Sequence, residues 1–193
     1  MRRLYFDTET SGFINKKLAN DDKKQAWIVQ IGFIYEVDNN ILNQGCFLIN
    51  SEGRIIHPGA QKVHKISTEL TDLYGISEKY VADILKYFLF NSDLVIGYNI
   101  SFDLDMLKML LARNGYLISD DIYLKIPIIC TMKASTDLCK LPGKYGYKWP
   151  KLTELYNFLF QESFPAHDAL EDIKATRRCY KTLIDKDIIK ENT

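Results

Sequence analysis

The chain has 193 residues, of which 47% are hydrophobic and 26% charged, and these values are ordinary for one globular domain. Lysine plus arginine and aspartate plus glutamate both number 25, so the formal net charge at pH 7 is zero. A protein that coats long duplex DNA would carry a basic excess, because phosphate neutralisation supplies most of that affinity. A nucleic-acid partner would therefore be contacted over a small footprint, such as one chain end.

The cysteines and the apolar runs indicate the cellular compartment in which we expect the protein. The four cysteines lie far apart with no C-x-x-C pair, which excludes common zinc spacings and indicates free thiols in a reducing compartment. The N-terminal apolar run is interrupted by Asp7 and Glu9 and is no signal peptide, and other apolar runs are too short to span a membrane. We expect a soluble, cytoplasmic protein with no membrane partner.

The first elements follow the pattern of strands. A strand begins at Leu4–Phe6 and ends in a turn at Thr10–Gly12, before a polar loop. The apolar runs Trp27–Val37 and Ile41–Asn50 then flank a hairpin turn at Asp38–Asn40. Three strands in succession predict an antiparallel meander.

From Val63 onward the pattern is mainly helical. A loop over Ser51–Lys62 comes first, followed by a helix near Ser67–Leu73 and a helix capped by Ser77. A strand at Asp93–Asn99 then leads to a helix over Ser101–Asn114 that Gly115 ends. The last predicted elements are a strand within Ile122–Cys130, which Pro127 limits to an edge or an end, and helices over Lys151–Phe160 and Ala169–Leu183. This order predicts an α/β fold in which helices pack against a mixed sheet. We expect one domain over residues 1–185 and a short, frayed tail over residues 186–193.

Two carboxylates stand one residue apart at the end of the first strand, in the segment LYFDTETSGF. Strand side chains alternate between faces, so Asp7 and Glu9 point the same way. Two like charges side by side are costly unless water or a cation neutralises them. A solvated strand end and a metal site are both open on this segment alone.

A third carboxylate, Asp103, falls in the first turn of the helix that follows the strand at Asp93–Asn99. Helix N-termini favour anions, so we expect this carboxylate to stay ionised. Complementarity to the helix dipole is the simpler explanation for an isolated aspartate at this position. However, the end of a strand that leads into a helix is also where α/β sheets place ligands.

The segment FPAHDALEDIKAT carries the last candidates. Asp168 and Glu171 have the spacing of a capping box, which makes Asp172 helical and leaves His167 on non-helical backbone before the cap. If both were helical, they would lie about 140° apart around the axis and could not share a site. On a loop, the imidazole of His167 is free to reach back towards Asp172.

Four carboxylates from three segments, together with one histidine, suit a particular chemistry. Two divalent cations about 4 Å apart can clamp an in-line phosphoryl displacement. Carboxylate oxygens favour Mg²⁺ or Mn²⁺ over zinc. A histidine with an ordinary pKa near 6.5 suits removal of a proton from the attacking water near neutral pH.

The segments DTETSGF, GYNISFDLDML and HDALED resemble, in this order and at similar spacing, the three motifs of the DEDDh (DnaQ-like) 3′–5′ exonuclease family of the ribonuclease H-like superfamily. The resemblance runs from Tyr5 to about Tyr180. It implies a five-stranded mixed sheet with helices on both faces. It also implies metal ligands for two Mg²⁺ or Mn²⁺ ions and a general base, at Asp7, Glu9, Asp103 and Asp172 for the ligands and at His167 for the base.

The same resemblance implies contacts with the substrate. The turn after the acidic pair would meet the terminal nucleotide through Thr10 and Phe13. Asn99 and Phe102 in the second motif would border the substrate, and so would His64. For His64 a local hydrogen bond at a helix entry is an equally good explanation.

The chain departs from the family pattern at two positions. Tyr98 stands where many members have histidine, and Lys65 stands where many have glycine. Neither is an expected metal ligand, but Tyr98 borders the second motif and could alter local contacts with the substrate.

The segment Lys140–Lys151 contains four lysines, two tyrosines and one tryptophan, and no acidic residue. Bases stack on aromatic rings while lysines follow the phosphates, so this segment is a candidate rim for binding a single strand. The alternative is that Trp149 and Pro150 pack at the entry of the next helix.

The sequence therefore predicts a metal-dependent 3′–5′ exonuclease that releases nucleoside monophosphates from single-stranded ends. We favour DNA, with a proofreading subunit of a DNA polymerase and a stand-alone exonuclease both open. RNA, as for oligoribonuclease or ribonuclease T relatives, is the alternative, because no residue here fixes recognition of the 2′-hydroxyl.

Two rival functions belong to other classes. The segment DTET (Asp7–Thr10) faintly resembles an aspartyl-phosphate phosphatase motif, but that chemistry has no use for His167 and Asp172. A non-catalytic binding module on the same fold would be expected to have lost some acidic residues, and every expected one is present.

Overall fold

The structure is a computed structural model that describes residues 1–116 and 126–191. Its strands are β1 (Arg2–Thr10), β2 (Ile28–Val37), β3 (Asn40–Leu48), β4 (Leu94–Gly97), β5 (Ile128–Cys130), β6 (Pro142–Gly143) and β7 (Gly146–Tyr147). Its helices are α1 (Pro58–His64), α2 (Thr68–Tyr74), α3 (Glu78–Phe90), α4 (Ser101–Arg113), α5 (Thr131–Ala134), α6 (Thr136–Cys139), α7 (Leu152–Phe160) and α8 (Ala169–Asp185). Within these ranges, no helix has the length and apolar character needed to cross a membrane.

Five strands form one mixed sheet in the order β3-β2-β1-β4-β5, as the resemblance implied. The first three strands form the predicted antiparallel meander, and β4 and β5 run parallel to β1. Asp38 and Asn39, with φ angles of 47° and 69°, form the predicted hairpin turn between β2 and β3. The edge strand β5 begins after Pro127, as predicted, whereas residues 122–125 of that predicted segment lie outside the described residues.

Helices cover both faces of the sheet, as the alternation of side chains along β1 requires. Leu4 and Phe6 lie in a buried cluster with residues of α3 and α4. Tyr5 points to the other face, where its ring meets that of Tyr180 on α8 with centroids 5.7 Å apart. The side on which each residue of β1 points therefore decides which helix it faces.

Three predicted helix boundaries are confirmed by their local contacts. The hydroxyl of Ser67 accepts a hydrogen bond from the Leu70 amide at 3.2 Å and begins α2. The hydroxyl of Ser77 accepts one from the Lys79 amide at 3.3 Å and begins α3. Gly115, with φ of 78°, follows the end of α4 in the left-handed region that glycine adopts without strain.

The helix α1 begins inside the segment Ser51–Lys62 that was predicted to be a loop, and it continues to His64. Pro58 begins α1, and proline at a first helical position is pre-organised for a helix. The imidazole Nδ1 of His57 caps this helix by accepting a hydrogen bond from the Gly59 amide at 3.1 Å. The prediction failed because helix caps are usually serine, threonine, aspartate or asparagine.

Residues 186–191 of the C-terminal tail pack against the domain, so the expectation that the tail frays is wrong for these residues. Ile189 is buried in the same cluster as Tyr5. The carboxylate of Glu191 accepts hydrogen bonds from the guanidinium of Arg3 at 2.8 and 2.6 Å and from the hydroxyl of Tyr180. The tail therefore packs against the start of β1.

Candidate active site

The acidic pair lies at the carboxyl end of β1, beside β2. In the antiparallel register Asp7 is opposite Gly32 and Glu9 is opposite Gln30. Since side chains alternate along a strand, both acidic side chains share the face of Tyr5, which α8 covers. The first strand therefore presents two carboxylates to the beginning of α8.

Thr8, which lies between the two acidic residues, faces α4 instead. Its amide and its hydroxyl both donate hydrogen bonds to Oδ1 of Asp103, at 3.1 and 2.6 Å. Asp103 lies in the first turn of α4, as predicted, and is only 5% exposed. Thr8 thus fixes the third carboxylate next to the first two.

The beginning of α8 confirms the predicted cap. The carboxylate of Asp168 accepts hydrogen bonds from two amides of the first turn, at 3.1 Å each. His167 precedes the cap on non-helical backbone with φ of 71°, and its amide donates to Oδ2 of Asp172 at 3.1 Å. Only half of the predicted capping box forms, since the Glu171 carboxylate pairs with Lys174 at 2.8 Å.

Two residues of β2 hold α8 against the sheet. The side-chain amide of Gln30 donates to Asp168 at 3.2 Å and accepts from the Ala169 amide at 3.0 Å. At Gly32, a Cβ atom would lie 2.4 Å from the carbonyl oxygen of Ala169, so only glycine permits this approach. The sequence analysis did not predict a role for Gln30 or Gly32. A glutamine and a glycine within the apolar run IVQIGFIYEV are nevertheless unusual for a buried strand and could have indicated one.

These contacts bring residues from distant segments together. Ligand atoms of Glu9, His167 and Asp172 all lie within 4.8 Å of one another. Asp172 is buried, Glu9 is half-buried and the His167 side chain is exposed. The group is therefore open to solvent on the side of the histidine.

The carboxylates perturb one another strongly. Burial raises the pKa of Asp7 well above its ordinary value, and the charges of Asp103, Asp172 and Glu9 raise it further. Burial, followed by the charges of Asp172 and Asp103, raises the pKa of Glu9 to about 7. Of the four carboxylates, only those of Glu9 and Asp172 belong to the group within 4.8 Å, and the charges of Asp7 and Asp103 act on the same site.

Burial opposes the expectation that the helix dipole keeps Asp103 ionised. Burial raises the pKa of Asp103 to about 7, although the hydrogen bonds from Thr8 lower it. Burial likewise raises the pKa of Asp172 to about 6, against the opposing hydrogen bond from the His167 amide. Desolvation outweighs the local dipole and hydrogen bonds here.

Three of the expected substrate residues line one open cavity of about 570 Å³. Phe13 is 93% exposed, so its ring has no packing role in the fold. Asn99 is exposed with φ of 54°, and Phe102 is half-buried against the core. The structure therefore brings these three residues to one surface beside the second motif.

The other two expected substrate residues lie near the acidic cluster. The hydroxyl of Thr10 donates to the carbonyl of Gly12 at 3.1 Å within the turn after β1. His64 is 6% exposed, and its Nδ1 accepts the Ile66 amide at 3.0 Å, which is the local hydrogen bond of the simpler explanation. Burial lowers the pKa of His64, an effect that a backbone interaction with Thr10 opposes and the charge of His167 reinforces.

Both departures from the family pattern have a structural consequence. Lys65 ends α1 with φ of 64°, a conformation that glycine adopts at lower cost. The hydroxyl of Tyr98 donates to the carbonyl of Pro150 at 2.7 Å, which ties the end of β4 to the segment before α7.

A mixed five-stranded sheet with an acidic cluster at the end of its first strand defines a ribonuclease H-like α/β domain. The sequence matches the family described as Exonuclease (RNase_T) over residues 4–180. The chain therefore belongs to this exonuclease family, which confirms the resemblance of its three motifs.

The fold is also similar to solved structures of exonuclease I. The complex of E. coli exonuclease I with a dT13 oligonucleotide has a TM-score of 0.72 at 19% identity and covers 94% of this chain and 40% of that chain. The complex of E. coli exonuclease I with a dA16 oligonucleotide gives 0.70 at 20% identity, with 95% and 43% covered. A product-bound exonuclease I gives 0.73 at 16% identity, with 97% and 44% covered.

At these identities the likeness establishes the fold, and this chain spans less than half the length of each matched structure. A comparison with curated protein sequences gives no significant match.

Proposed function

We propose that the chain is a metal-dependent 3′–5′ exonuclease that removes nucleoside monophosphates from the ends of single-stranded DNA. The observation that carries this proposal is the group of Glu9, His167 and Asp172 at the end of β1, with Asp7 on the same strand face and Asp103 fixed to Thr8 between them. Membership of the exonuclease family supports hydrolysis of phosphodiesters. The oligonucleotides named for the exonuclease I structures support a single strand of DNA as the substrate.

The donor set fits Mg²⁺ or Mn²⁺. Every carboxylate in the cluster is made harder to ionise by burial or by its neighbours, which is the cost that a bound cation removes. Two such cations would be held by Asp7, Glu9, Asp103 and Asp172. When bound, they would neutralise the charge that develops on the phosphate during displacement.

His167 is our candidate for the general base. Its backbone amide is fixed to Asp172, while its side chain is exposed and can pass a proton to solvent after each turnover. From this position the imidazole would accept a proton from the attacking water. Because its ring also lies within 4.8 Å of ligand atoms of Glu9 and Asp172, a role as a further ligand is the competing assignment.

Other residues would position the metal ligands and the terminal nucleotide. Thr8 orients Asp103, and Gln30 holds the first turn of α8 against the sheet. We propose that the terminal nucleotide enters between the turn at Thr10–Phe13 and the cavity lined by Asn99 and Phe102. His64 would border the same nucleotide beside Thr10.

RNA is the second candidate substrate, and the description of the matched family as RNase_T favours it. The proposed chemistry is compatible both with a stand-alone enzyme and with a proofreading subunit of a DNA polymerase.

A nuclease assay with 5′-labelled strands tests the proposal. We expect a ladder of progressively shorter labelled fragments with Mg²⁺ or Mn²⁺ and none with EDTA, with single-stranded DNA degraded faster than duplex DNA or RNA. A bulky block on the 3′-hydroxyl should stop the reaction, and Asp7→Asn should abolish it. Asp83→Asn, which changes an exposed aspartate on α3, is the matched control.

Immediate release of labelled mononucleotide would contradict the 3′–5′ polarity. Faster degradation of RNA than of DNA would favour the second candidate. Full activity in EDTA would contradict the metal requirement.

A further inference from the structure

The segment between α6 and α7 forms a small two-stranded hairpin that the proposed mechanism does not use. Pro142 pairs with Tyr147 and Gly143 pairs with Gly146. The hairpin is closed by the Lys148 amide, which donates to the carbonyl of Leu141 at 2.9 Å. The two short strands β6 and β7 therefore project a defined surface from the body of the domain.

This hairpin exposes three large aromatic side chains. Tyr145 is 90% exposed, Tyr147 52% and Trp149 61%. The next residue, Pro150, is buried, so proline alone accounts for packing at the entry of α7. The alternative in which Trp149 is a packing residue is thus not supported, and its ring is available to a ligand.

The charge around these rings is basic. Lys140, Lys144, Lys148 and Lys151 are all exposed, and the segment that they span contains no acidic residue. The ammonium group of Lys144 lies 5.0 Å from the ring centroid of Tyr145. Lys148 forms an exposed ion pair with Glu154 on α7 at 2.6 Å, a kind of contact that salt and ligands readily displace.

The base of the hairpin is fixed at the same end of the sheet as the acidic cluster. Tyr98 holds the carbonyl of Pro150 and directly follows β4. In the parallel register of β1 and β4, Tyr5 is opposite Ile96, which places Tyr98 level with Asp7. Neighbouring strands are about 4.8 Å apart, so Tyr98, which anchors the base of the hairpin, lies about one strand spacing from Asp7.

We propose that the β6–β7 hairpin and its flanking lysines bind single-stranded DNA upstream of the terminal nucleotide. The bases would stack on Tyr145, Tyr147 and Trp149 while the phosphates follow the lysines. Stacking on an aromatic ring tolerates any base and is worth about 5- to 150-fold in affinity for each base. Duplex DNA offers no such free bases, and the absence of acidic residues in the segment complements phosphate rather than a basic protein surface.

This proposal rests on the proposed function, because the strand that the hairpin binds is the one whose end is hydrolysed. The two can nevertheless be tested separately, since stacking on the hairpin requires neither metal nor hydrolysis.

Trp149 is itself a probe of this surface. The chain has two tryptophans, and Trp27 is 2% exposed, so quenching by added bases reports on Trp149. We expect oligothymidylate in EDTA to quench the fluorescence saturably and with strong salt dependence. Trp149→Phe, which leaves only the buried Trp27, is the matched control and should show no quenching.

Absence of quenching in the native protein would overturn the hairpin site whatever the enzyme does. An RNA strand of the same sequence that quenches at lower concentration than the DNA would overturn the choice of DNA.

Turnover then separates binding from a merely structural role. For Tyr145→Ala combined with Tyr147→Ala, we expect KM to rise about tenfold or more on an oligonucleotide of about 15 nucleotides. Hydrolysis of a dinucleotide, which ends before the hairpin, should change by less than about twofold. Tyr74→Ala combined with Tyr80→Ala, two exposed tyrosines on α2 and α3, is the control.

Equal losses on both substrates would mean that the hairpin only supports the active site and would overturn the proposal. Unchanged KM on the longer strand would overturn it as well. If the native protein hydrolyses neither substrate, the proposed function fails, and the titration of Trp149 still decides whether the hairpin binds DNA.

Discussion

A side-chain carbon placed on Gly32 would lie 2.4 Å from the carbonyl oxygen of Ala169. This close approach seats the first turn of α8 on β2, directly opposite Asp7 in the strand register. The positions of Asp172 and His167 relative to the carboxylates of β1 therefore depend on the absence of one methyl group.

We predict that Gly32→Ala displaces the beginning of α8. Overpacking of this kind costs about 1–3 kcal/mol, which for a domain of this size corresponds to a melting temperature lower by about 2–12 °C. Nuclease activity should fall at least about tenfold, because small displacements of reacting groups are costly.

Gly45→Ala on β3 is the control for overpacking away from α8: its new carbon would lie 2.8 Å from the buried Phe33 ring, so stability should fall while activity at the native fold is kept. Native stability and activity in Gly32→Ala would show that the approach of α8 to β2 is not required.

Much of the candidate site could be predicted because its signals are local. The placement of Asp7 and Glu9 follows from a strand pattern and a turn, and that of Asp103 from a strand that leads into a helix. The position of His167 on a loop follows from the cap at Asp168, four residues before Asp172. The antiparallel meander and the two-residue hairpin turn were likewise encoded in short segments.

The remaining features depend on contacts between residues far apart in the sequence. Thr8 was not predicted because its partner, Asp103, is 95 residues away, and Gln30 contacts the amide of Ala169 across 139 residues. The raised pKa of Asp103 was missed for the same reason, since burial arises only when α4 packs on β1. His57 was missed because its imidazole takes a capping role that hydroxyl or carboxylate side chains usually fill.

Two substitutions separate a general base from a metal ligand at the end of β1. His167→Ala should lower turnover about 10²- to 10⁴-fold while Mn²⁺ still raises the melting temperature as in the native protein. Asp172→Asn should lose both activity and part of that stabilisation, because it removes a ligand. If His167→Ala also loses the Mn²⁺ effect, His167 is a ligand, and near-native turnover at neutral pH would make it a bystander.

Stability without metal should depend on pH in a direction set by the carboxylates. The pKa of Glu9 and that of Asp103 are raised to about 7, so the folded protein binds more protons than the unfolded chain between about pH 4 and pH 7. In EDTA the melting temperature should therefore fall as the pH rises through this range towards 8. Asp103→Asn should flatten the dependence and the exposed Asp83→Asn should not.

Saturating Mg²⁺ should remove the fall in melting temperature, because the cation favours the ionised carboxylates. A melting temperature in EDTA that rises from pH 5.5 to pH 8 would contradict the raised pKa values.

The C-terminal tail should contribute to stability. Removing residues 186–193 exposes the cluster around Ile189, and burial of an isoleucine side chain is worth about 1.5–3 kcal/mol. We expect the melting temperature to fall by about 3–12 °C. Removing residues 192 and 193 alone keeps Glu191 and should have little effect.

Circular dichroism on heating measures both tail variants. An unchanged melting temperature after removal of residues 186–193 would support a domain that ends at residue 185.

The central claim is that Asp7, Glu9, Asp103 and Asp172 together form a site for divalent cations. Electron paramagnetic resonance of a Mn²⁺ titration, in the presence of a nucleoside 5′-monophosphate, counts the bound ions directly. We predict two Mn²⁺ ions for each native chain, displaced by Mg²⁺, with at least one lost in Asp7→Asn and both kept in Asp83→Asn. A native protein that binds no Mn²⁺, or an Asp7→Asn variant that binds as many ions as the native protein, would contradict the account.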